Sequence, residues 1–231
     1  MTFTVKQRTA ARDLALFLAA FYFLWTLRGT LFYAVDESIN SPVWRAAYSS
    51  LLKFGLWVLP AAAFACLVKR SPPASYLGLL AVPNRRDWTW CLAITTAFLG
   101  LVTLFESTIG GKSFSGASLA SLPVVVALFQ LVLSPLFEEV LFRGVVLKEL
   151  LTLLPGYLAN ALTSALFVGV HLPYWLSHKG ANPRIVAASF GVFVFSFVAG
   201  WLYAKSASIW PPTLAHIANN VLASLLVASH G

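Results

Sequence analysis

The sequence predicts an all-α protein, a polytopic transmembrane bundle of about seven or eight membrane helices, and its composition is the first support. Of the 231 residues, 59% are hydrophobic and 10% are charged, and the mean hydropathy is +0.79. Soluble domains are closer to half apolar and roughly a quarter charged. We therefore expect one integral membrane domain that spans residues 1–231.

Apolar runs between short polar clusters give the second support. A helix needs about 20 mostly apolar residues to cross a bilayer. Seven runs approach that length, and they cover residues 14–35, 47–68, 88–107, 120–142, 157–176, 186–204 and 210–228. The first run follows three basic residues and continues to Val35 without a small-residue cleavage site, which predicts an uncleaved membrane helix rather than a signal peptide.

Basic residues between the runs predict the orientation, because cytoplasmic loops are enriched in Lys and Arg. With a cytoplasmic N-terminus, the inside residues are Lys6, Arg8, Arg12, Lys69, Arg70, Arg85, Arg86, Lys148 and Lys205, and the outside residues are Arg45, Lys112, Lys179 and Arg184. Nine against four favours this orientation, in what we expect to be a prokaryotic cytoplasmic membrane.

The net charge of +8 is spread over these clusters without a basic helix or a basic and aromatic patch. This distribution argues against a nucleic-acid partner. Cys66 and Cys91 form no C-x-x-C motif and have no partner at zinc-site spacing. The expected partners are the lipid bilayer and a peptide or protein substrate at the membrane.

Ionisable side chains within apolar segments are costly, and so they indicate functional sites. Glu139 and Arg143 lie four residues apart, which places them on one helix face with the carboxylate in the favourable N-terminal position. Glu138 lies about 100° around the same helix. We therefore expect Arg143 to pair with Glu139 and Glu138 to be the freer carboxylate, available as a general base.

Two further polar pairs have the same four-residue spacing. Phe167 and His171 share a face of the fifth run, and His216 and Asn220 share a face of the seventh. If the fourth helix continues to the turn at Pro155, an antiparallel hairpin places Glu138 and His171 at the same depth. His178 and His230, in a loop and at the C-terminus, have no such context.

These side chains suit hydrolysis in two ways that the residues alone do not separate. Glu138 and His171 could position and deprotonate water, while His216 and Asn220 donate hydrogen bonds to an oxyanion. Carboxylate and imidazole are also zinc ligands, so a divalent metal such as zinc is a second option. No H-E-x-x-H or G-x-S-x-G motif occurs, and the aspartates lie outside the later runs.

The three pairs resemble, in order, the motifs of the CPBP family of intramembrane proteases, which includes CAAX prenyl endopeptidases and bacteriocin-processing proteins. E-E-x-x-x-R corresponds to residues 138–143, F-x-x-x-H to 167–171 and H-x-x-x-N to 216–220. The resemblance covers about residues 120–228, the expected catalytic core. It implies that Glu138 and His171 activate water, that His216 and Asn220 stabilise the oxyanion, and that Glu139, Arg143 and Phe167 support the site.

The leading interpretation is therefore an intramembrane endopeptidase, with a metal-independent glutamate mechanism favoured. Prenylated CAAX proteins, bacteriocin precursors and C-terminal sorting tails all remain candidate substrates. The alternative is a catalytically silent immunity or partner-binding membrane protein of the same fold, in which the polar residues only join helices. A transporter is weaker, since paired broken helices and inverted repeats are not evident.

Overall fold

A computed structural model describes residues 4–115 and 117–228, and these residues are predominantly helical. His230 lies outside the described residues. Five helices in this part of the chain are long and apolar enough to cross a membrane. They are α1 (Val5–Thr30), α3 (Pro42–Val68), α5 (Arg85–Thr108), α7 (Val124–Leu150) and α10 (Pro183–Ser206).

Shorter elements connect and complete these five. They are α2 (Tyr33–Ser38), α4 (Pro73–Tyr76), α6 (Ala117–Ala120), α8 (Gly156–Gly169), α9 (Leu172–Lys179), α11 (Trp210–Leu225) and two strands, β1 (Lys112–Phe114) and β2 (Leu226–Ala228). The strands pair antiparallel, so the seventh apolar run ends as a strand and not as helix.

Local capping explains where several helices begin. Thr4 and Gln7 form a reciprocal capping box at the start of α1, and Asn84 and Asp87 form another at the start of α5. Such boxes satisfy amide groups that have no partner within the helix. The side chain of Ser41 caps α3, which continues with Pro42 in its first turn.

The fifth apolar run, predicted as one helix over residues 157–176, is two helices in the structure. Helix α8 ends at Gly169, and α9 begins at Leu172 with Pro173 in its first turn. Proline has no amide hydrogen, and its ring clashes with the carbonyl of the residue four before it, here Gly169, so α8 ends there and a new helix starts with Pro173 in its first turn. His171 occupies the break as the residue that precedes α9.

Helix α7 continues well beyond the predicted end at residue 142, which confirms the extension that the hairpin required. Its α-helical segment Ser134–Leu141 lies between two π-helical segments, Leu128–Leu133 and Phe142–Leu147. A π turn holds one more residue than an α turn, and such turns are frequent at functional sites. The double-glutamate segment is therefore a short α-helical piece between two irregular ones.

The packing around α7 forms the main core. Leu141, Phe142, Val145 and Val146 are fully buried, together with Phe167 of α8. Helix α8 packs closely on α10 and on α7. Phe21 of α1 and Trp57 of α3 also contact Phe142, so both halves of the chain pack around α7.

Candidate active site

Glu139 and Arg143 form an ion pair that is sealed from solvent, with both side chains 0% exposed. The Nη1 atom of Arg143 lies 3.1 Å from Oε1 and 3.0 Å from Oε2 of Glu139. The Nη2 atom donates to the carbonyl oxygen of Ser196 at 2.7 Å and to its hydroxyl at 2.9 Å. The predicted pairing is observed, and it also ties α7 to α10.

Phe167 lies beneath this pair, where three site residues converge. The guanidinium carbon of Arg143 lies 5.2 Å from the centre of the Phe167 ring, within the range of a cation–π contact. The same ring meets the His171 ring at 5.3 Å and the His216 ring at 5.9 Å, both edge-on. Phe167 therefore packs between the two imidazoles and the cation.

His216 stands between the two glutamates. Its Nδ1 atom lies 2.8 Å from Oε1 of Glu139, and its Nε2 atom lies 3.7 Å from Oε2 of Glu138. A carboxylate only accepts hydrogen bonds, so Nδ1 carries the proton when Glu139 is ionised. Glu139 thus orients the imidazole, while Nε2 faces the other carboxylate across a gap too long for a direct hydrogen bond.

Glu138, which the sequence predicted to be the freer carboxylate without a cation of its own, also has a cation partner. The ammonium group of Lys53, on α3, contacts Oε1 of Glu138 and lies 2.6 Å from the hydroxyl of Ser134. That hydroxyl also donates to Oε1 at 3.3 Å. The expectation was wrong because it considered only cations near Glu138 in sequence, whereas Lys53 is 85 residues away.

The sequence did contain a signal for Lys53. It lies inside the second apolar run, residues 47–68, where an ionisable side chain indicates a functional site by default. The helix turns π-helical directly after it, at Phe54–Val58.

His171 lies at the break between α8 and α9, and its Nδ1 atom donates to the carbonyl oxygen of Phe167 at 2.9 Å. A carbonyl has no proton to give, so the proton is on Nδ1 and Nε2 of the neutral ring has a free lone pair. His171 lies close enough to Glu138 for electrostatic interaction. The hairpin thus brings the two residues into one site, as the spacing about Pro155 predicted.

Asn220 lies one turn beyond His216 on α11, on the same side of the helix, and it is half-buried. Its backbone carbonyl accepts a hydrogen bond from Ser224 at 2.8 Å. Within the described residues, no hydrogen bond of its side-chain amide is recorded. The amide is therefore available to a ligand beside His216.

A metal centre finds little support in the donor atoms. Among the described residues, no group of three His, Cys, Asp or Glu side chains has an arrangement that could hold a metal ion. Glu138 offers an oxygen already bound by Lys53, and Nδ1 of His216 faces Glu139. Oε2 of Glu138 and Nε2 of His216, 3.7 Å apart, remain open, and the ammonium group of Lys53 already supplies a positive charge at this carboxylate.

A second buried polar cluster lies at the end of α7. Glu149 is 4% exposed, and it accepts hydrogen bonds from the ammonium group of Lys69 and the hydroxyl of Tyr76. Burial, and next the contact with Glu149, raises the pKa of Tyr76 far above its ordinary value. The phenol therefore remains a proton donor.

Long apolar helices around this buried set of carboxylates and imidazoles are typical of an integral membrane protein with a buried polar centre. Residues 120–222 match the model of the family described as type II CAAX prenyl endopeptidase, Rce1-like. All three motifs lie within the matched residues, and the match is consistent with the resemblance to the CPBP proteases. No curated protein and no solved structure gave a match.

Proposed function

We propose that the protein is an intramembrane endopeptidase that hydrolyses a peptide bond of a membrane-associated or C-terminally tailed substrate. One observation supports this most strongly: His216 lies between Glu138 and Glu139, while His171 joins them from a helix break. Interhelical hydrogen bonding alone does not need two carboxylates and two imidazoles together, and each buried charge is expensive. The family match supports the same conclusion.

In the proposed reaction, Glu138 accepts a proton from water. Its Oε1 atom is held by Lys53 and Ser134, so Oε2 is the oxygen left for the water. The lone pair on Nε2 of His171 accepts the second hydrogen of that water and orients it. The water oxygen then bonds to the substrate carbonyl carbon, and the proton on Glu138 passes to the leaving amine as the peptide bond breaks.

The oxyanion that forms in this step needs hydrogen-bond donors. A protonated His216 donates from both ring nitrogens, so Nε2 can serve the oxyanion while Nδ1 remains with Glu139. The amide of Asn220, on the same face of α11, supplies a second donor. Removal of one such donor typically costs about 2.7 to 4 kcal/mol of transition-state stabilisation.

We propose that this chemistry is independent of a metal, because the ammonium group of Lys53 already supplies the positive charge beside Glu138. Elemental analysis of the purified protein tests this, together with cleavage before and after dialysis against a chelator. Stoichiometric zinc together with loss of cleavage on chelation contradicts the proposal.

The proposal also includes the membrane in which the protein lies, its orientation and its domain organisation. The protein lies in a prokaryotic cytoplasmic membrane with its N-terminus inside, and α8 with α9 and α11 complete a bundle of seven membrane segments. The catalytic core is residues 120–228 within a single domain. Cysteine accessibility at Arg45 and Arg85, which the basic residues place on opposite sides, tests the orientation with a membrane-impermeant reagent.

The decisive experiment replaces Glu138 with Gln and uses Glu149→Gln as the matched control. Both glutamates are buried on α7, and each pairs with one lysine of the segment 53–69. The first probe is a farnesylated peptide with a Cys-aliphatic-aliphatic-X end and a fluorophore and quencher on opposite sides of the cysteine. We expect E138Q to lose at least about 100-fold in rate, as for a general base, and E149Q to retain activity.

A second candidate is a catalytically silent immunity or partner-binding protein. The Lys53 contact favours it, because an ion-paired carboxylate is a weaker base than a free one. On this alternative, E138Q preserves the biological phenotype, and substitutions of exposed side chains on a lipid-facing surface abolish it. Wild-type cleavage by E138Q would contradict the hydrolytic mechanism.

A further inference from the structure

Lys53 belongs to α3, and so it lies outside the matched residues 120–222. Its side chain is 15% exposed, and that of its partner Glu138 is 11% exposed. The ammonium group also lies 4.8 Å from the centre of the Trp57 ring, one turn along the same helix. The cation is thus held on three sides, by a carboxylate, a hydroxyl and an aromatic face.

The Lys53 contact gives the two carboxylate oxygens of Glu138 different surroundings. Both Lys53 and Ser134 bind Oε1, and Oε2 is directed at Nε2 of His216. With one oxygen fixed, rotation of the carboxylate about its last bond is prevented. The orientation of the proposed base therefore depends on a residue from the first half of the chain.

Several groups face Glu138, each from a different element. Lys53 comes from α3, His216 from α11, His171 from the break after α8, and Arg143 lies on α7 itself. The guanidinium of Arg143 makes its contacts with Glu139 and Ser196. The histidines are charged only when protonated. Lys53 is thus the one directly bound permanent cation among these groups.

We infer that Lys53 is a positioning residue of the site: it keeps Glu138 ionised inside the bundle and fixes Oε1 so that Oε2 points to the water. The catalytic role of Lys53 rests on the proposed function, whereas its effect on the charge of Glu138 does not. A buried carboxylate without a partner takes up a proton more readily, because burial disfavours the charged form. Loss of the Lys53 charge should therefore move the protonation of Glu138 to higher pH.

Infrared spectroscopy of the purified protein in lipid nanodiscs measures that protonation directly. The carboxyl band of Glu138 is assigned by its loss in Glu138→Gln and followed against pH. In Lys53→Met we expect the midpoint to rise by about 1 to 3 pH units. Lys53→Arg keeps the charge, and it should titrate like the wild type.

Lys69→Met is the matched control, because Lys69 directly follows α3 and forms the other Lys–Glu pair with α7. It should leave the Glu138 midpoint unchanged. Lys53→Gln is measured beside Lys53→Met, since it removes the charge and retains a donor for Ser134 if the methionine variant does not fold. An unchanged midpoint in the uncharged Lys53 variants overturns the inference, and so does an equal shift in Lys69→Met.

Cleavage of the farnesylated peptide separates this inference from the proposed function. If Glu138→Gln is inactive, the pH below which the cleavage rate falls should be higher in Lys53→Met than in the wild type. In Lys53→Arg it should return to the wild-type value. If Glu138→Gln cleaves normally, the proposed function fails, whatever the infrared midpoint shows. If Glu138→Gln is inactive and Lys53→Met keeps the wild-type profile, only the positioning role fails.

Discussion

Gly200 lies where α10 packs on α8, and a single methyl group there should disrupt the contact. A Cβ atom built at Gly200 would lie 1.9 Å from the side-chain oxygen of Asn160, whereas real Cβ contacts essentially never fall below 3.0 Å. The Asn160 amide must therefore retreat by more than about 1 Å, the difference between those two distances. Small residues at such crossings allow close helix approach in membranes.

The cost of Gly200→Ala has two parts. Asn160 donates a hydrogen bond of 2.8 Å to the carbonyl of Phe197, and a displaced amide loses it, at about 1 to 3 kcal/mol. Overpacking adds about 1 to 3 kcal/mol. We therefore expect Gly200→Ala to lower the free energy of unfolding by about 2 to 6 kcal/mol.

Gly191 provides the matched control on the same helix, since a Cβ there meets no described atom within 4 Å. Gly191→Ala should be neutral or slightly stabilising, because alanine favours helix over glycine. Unfolding in detergent micelles, followed by tryptophan fluorescence, measures both variants. Asn160→Ala combined with Gly200→Ala should recover part of the loss, as neighbouring substitutions are not additive. A Gly200→Ala stability within about 0.5 kcal/mol of Gly191→Ala would refute the packing argument.

Three further variants test the buried polar contacts. Arg143→Met should cost about 3 to 5 kcal/mol, because it leaves Glu139 buried without its cation, and Glu139→Gln in the same chain should restore part of this. Tyr76→Phe should cost about 1.5 to 3 kcal/mol through the lost hydrogen bond to the Glu149 carboxylate. Gly144→Ala should cost about 1 to 3 kcal/mol, since its Cβ would lie 3.1 Å from the Leu77 carbonyl oxygen. All three are measured by the same unfolding assay.

Two positions with few buried contacts serve as references for these variants. Arg45→Met removes an exposed arginine that donates to the Ile39 carbonyl, and it should change stability by less than about 0.5 kcal/mol. Gly55→Ala, where the new Cβ meets no described atom within 4 Å, is the reference for Gly144→Ala. Losses of equal size at the reference positions would contradict the explanations given for the buried ones.

Spacing predicted those parts of the site that depend on one helix or one hairpin. The Glu139–Arg143 pair needs only a four-residue separation. The approach of His171 to Glu138 needs only two helices and a short turn. The composition likewise predicted the long apolar helices, although five rather than seven in the described residues meet the length and hydropathy of a membrane span.

Long-range partners were beyond the reach of that reasoning. Lys53 meets Glu138 across 85 residues, and nothing in helical periodicity specifies which face of α3 packs on α7. The same holds for His216, whose Nδ1 atom faces Glu139 rather than a vacant cavity. The break before Pro173 was readable from the sequence, because a proline inside a helix removes a hydrogen bond and clashes with the carbonyl four residues earlier. Reading an apolar run as one helix concealed that signal.

Two lysine–glutamate pairs join the same two stretches of chain, Lys53 to Glu138 and Lys69 to Glu149. Lys69 follows Lys53 along the chain, and its partner Glu149 follows Glu138. The helices α3 and α7 therefore run in the same direction. A slide of one helix past the other by a single turn, about 5.4 Å, would break both pairs together. The two pairs therefore oppose sliding and separation: α3 and α7 can tilt together, but a shift of one along the other would break both pairs.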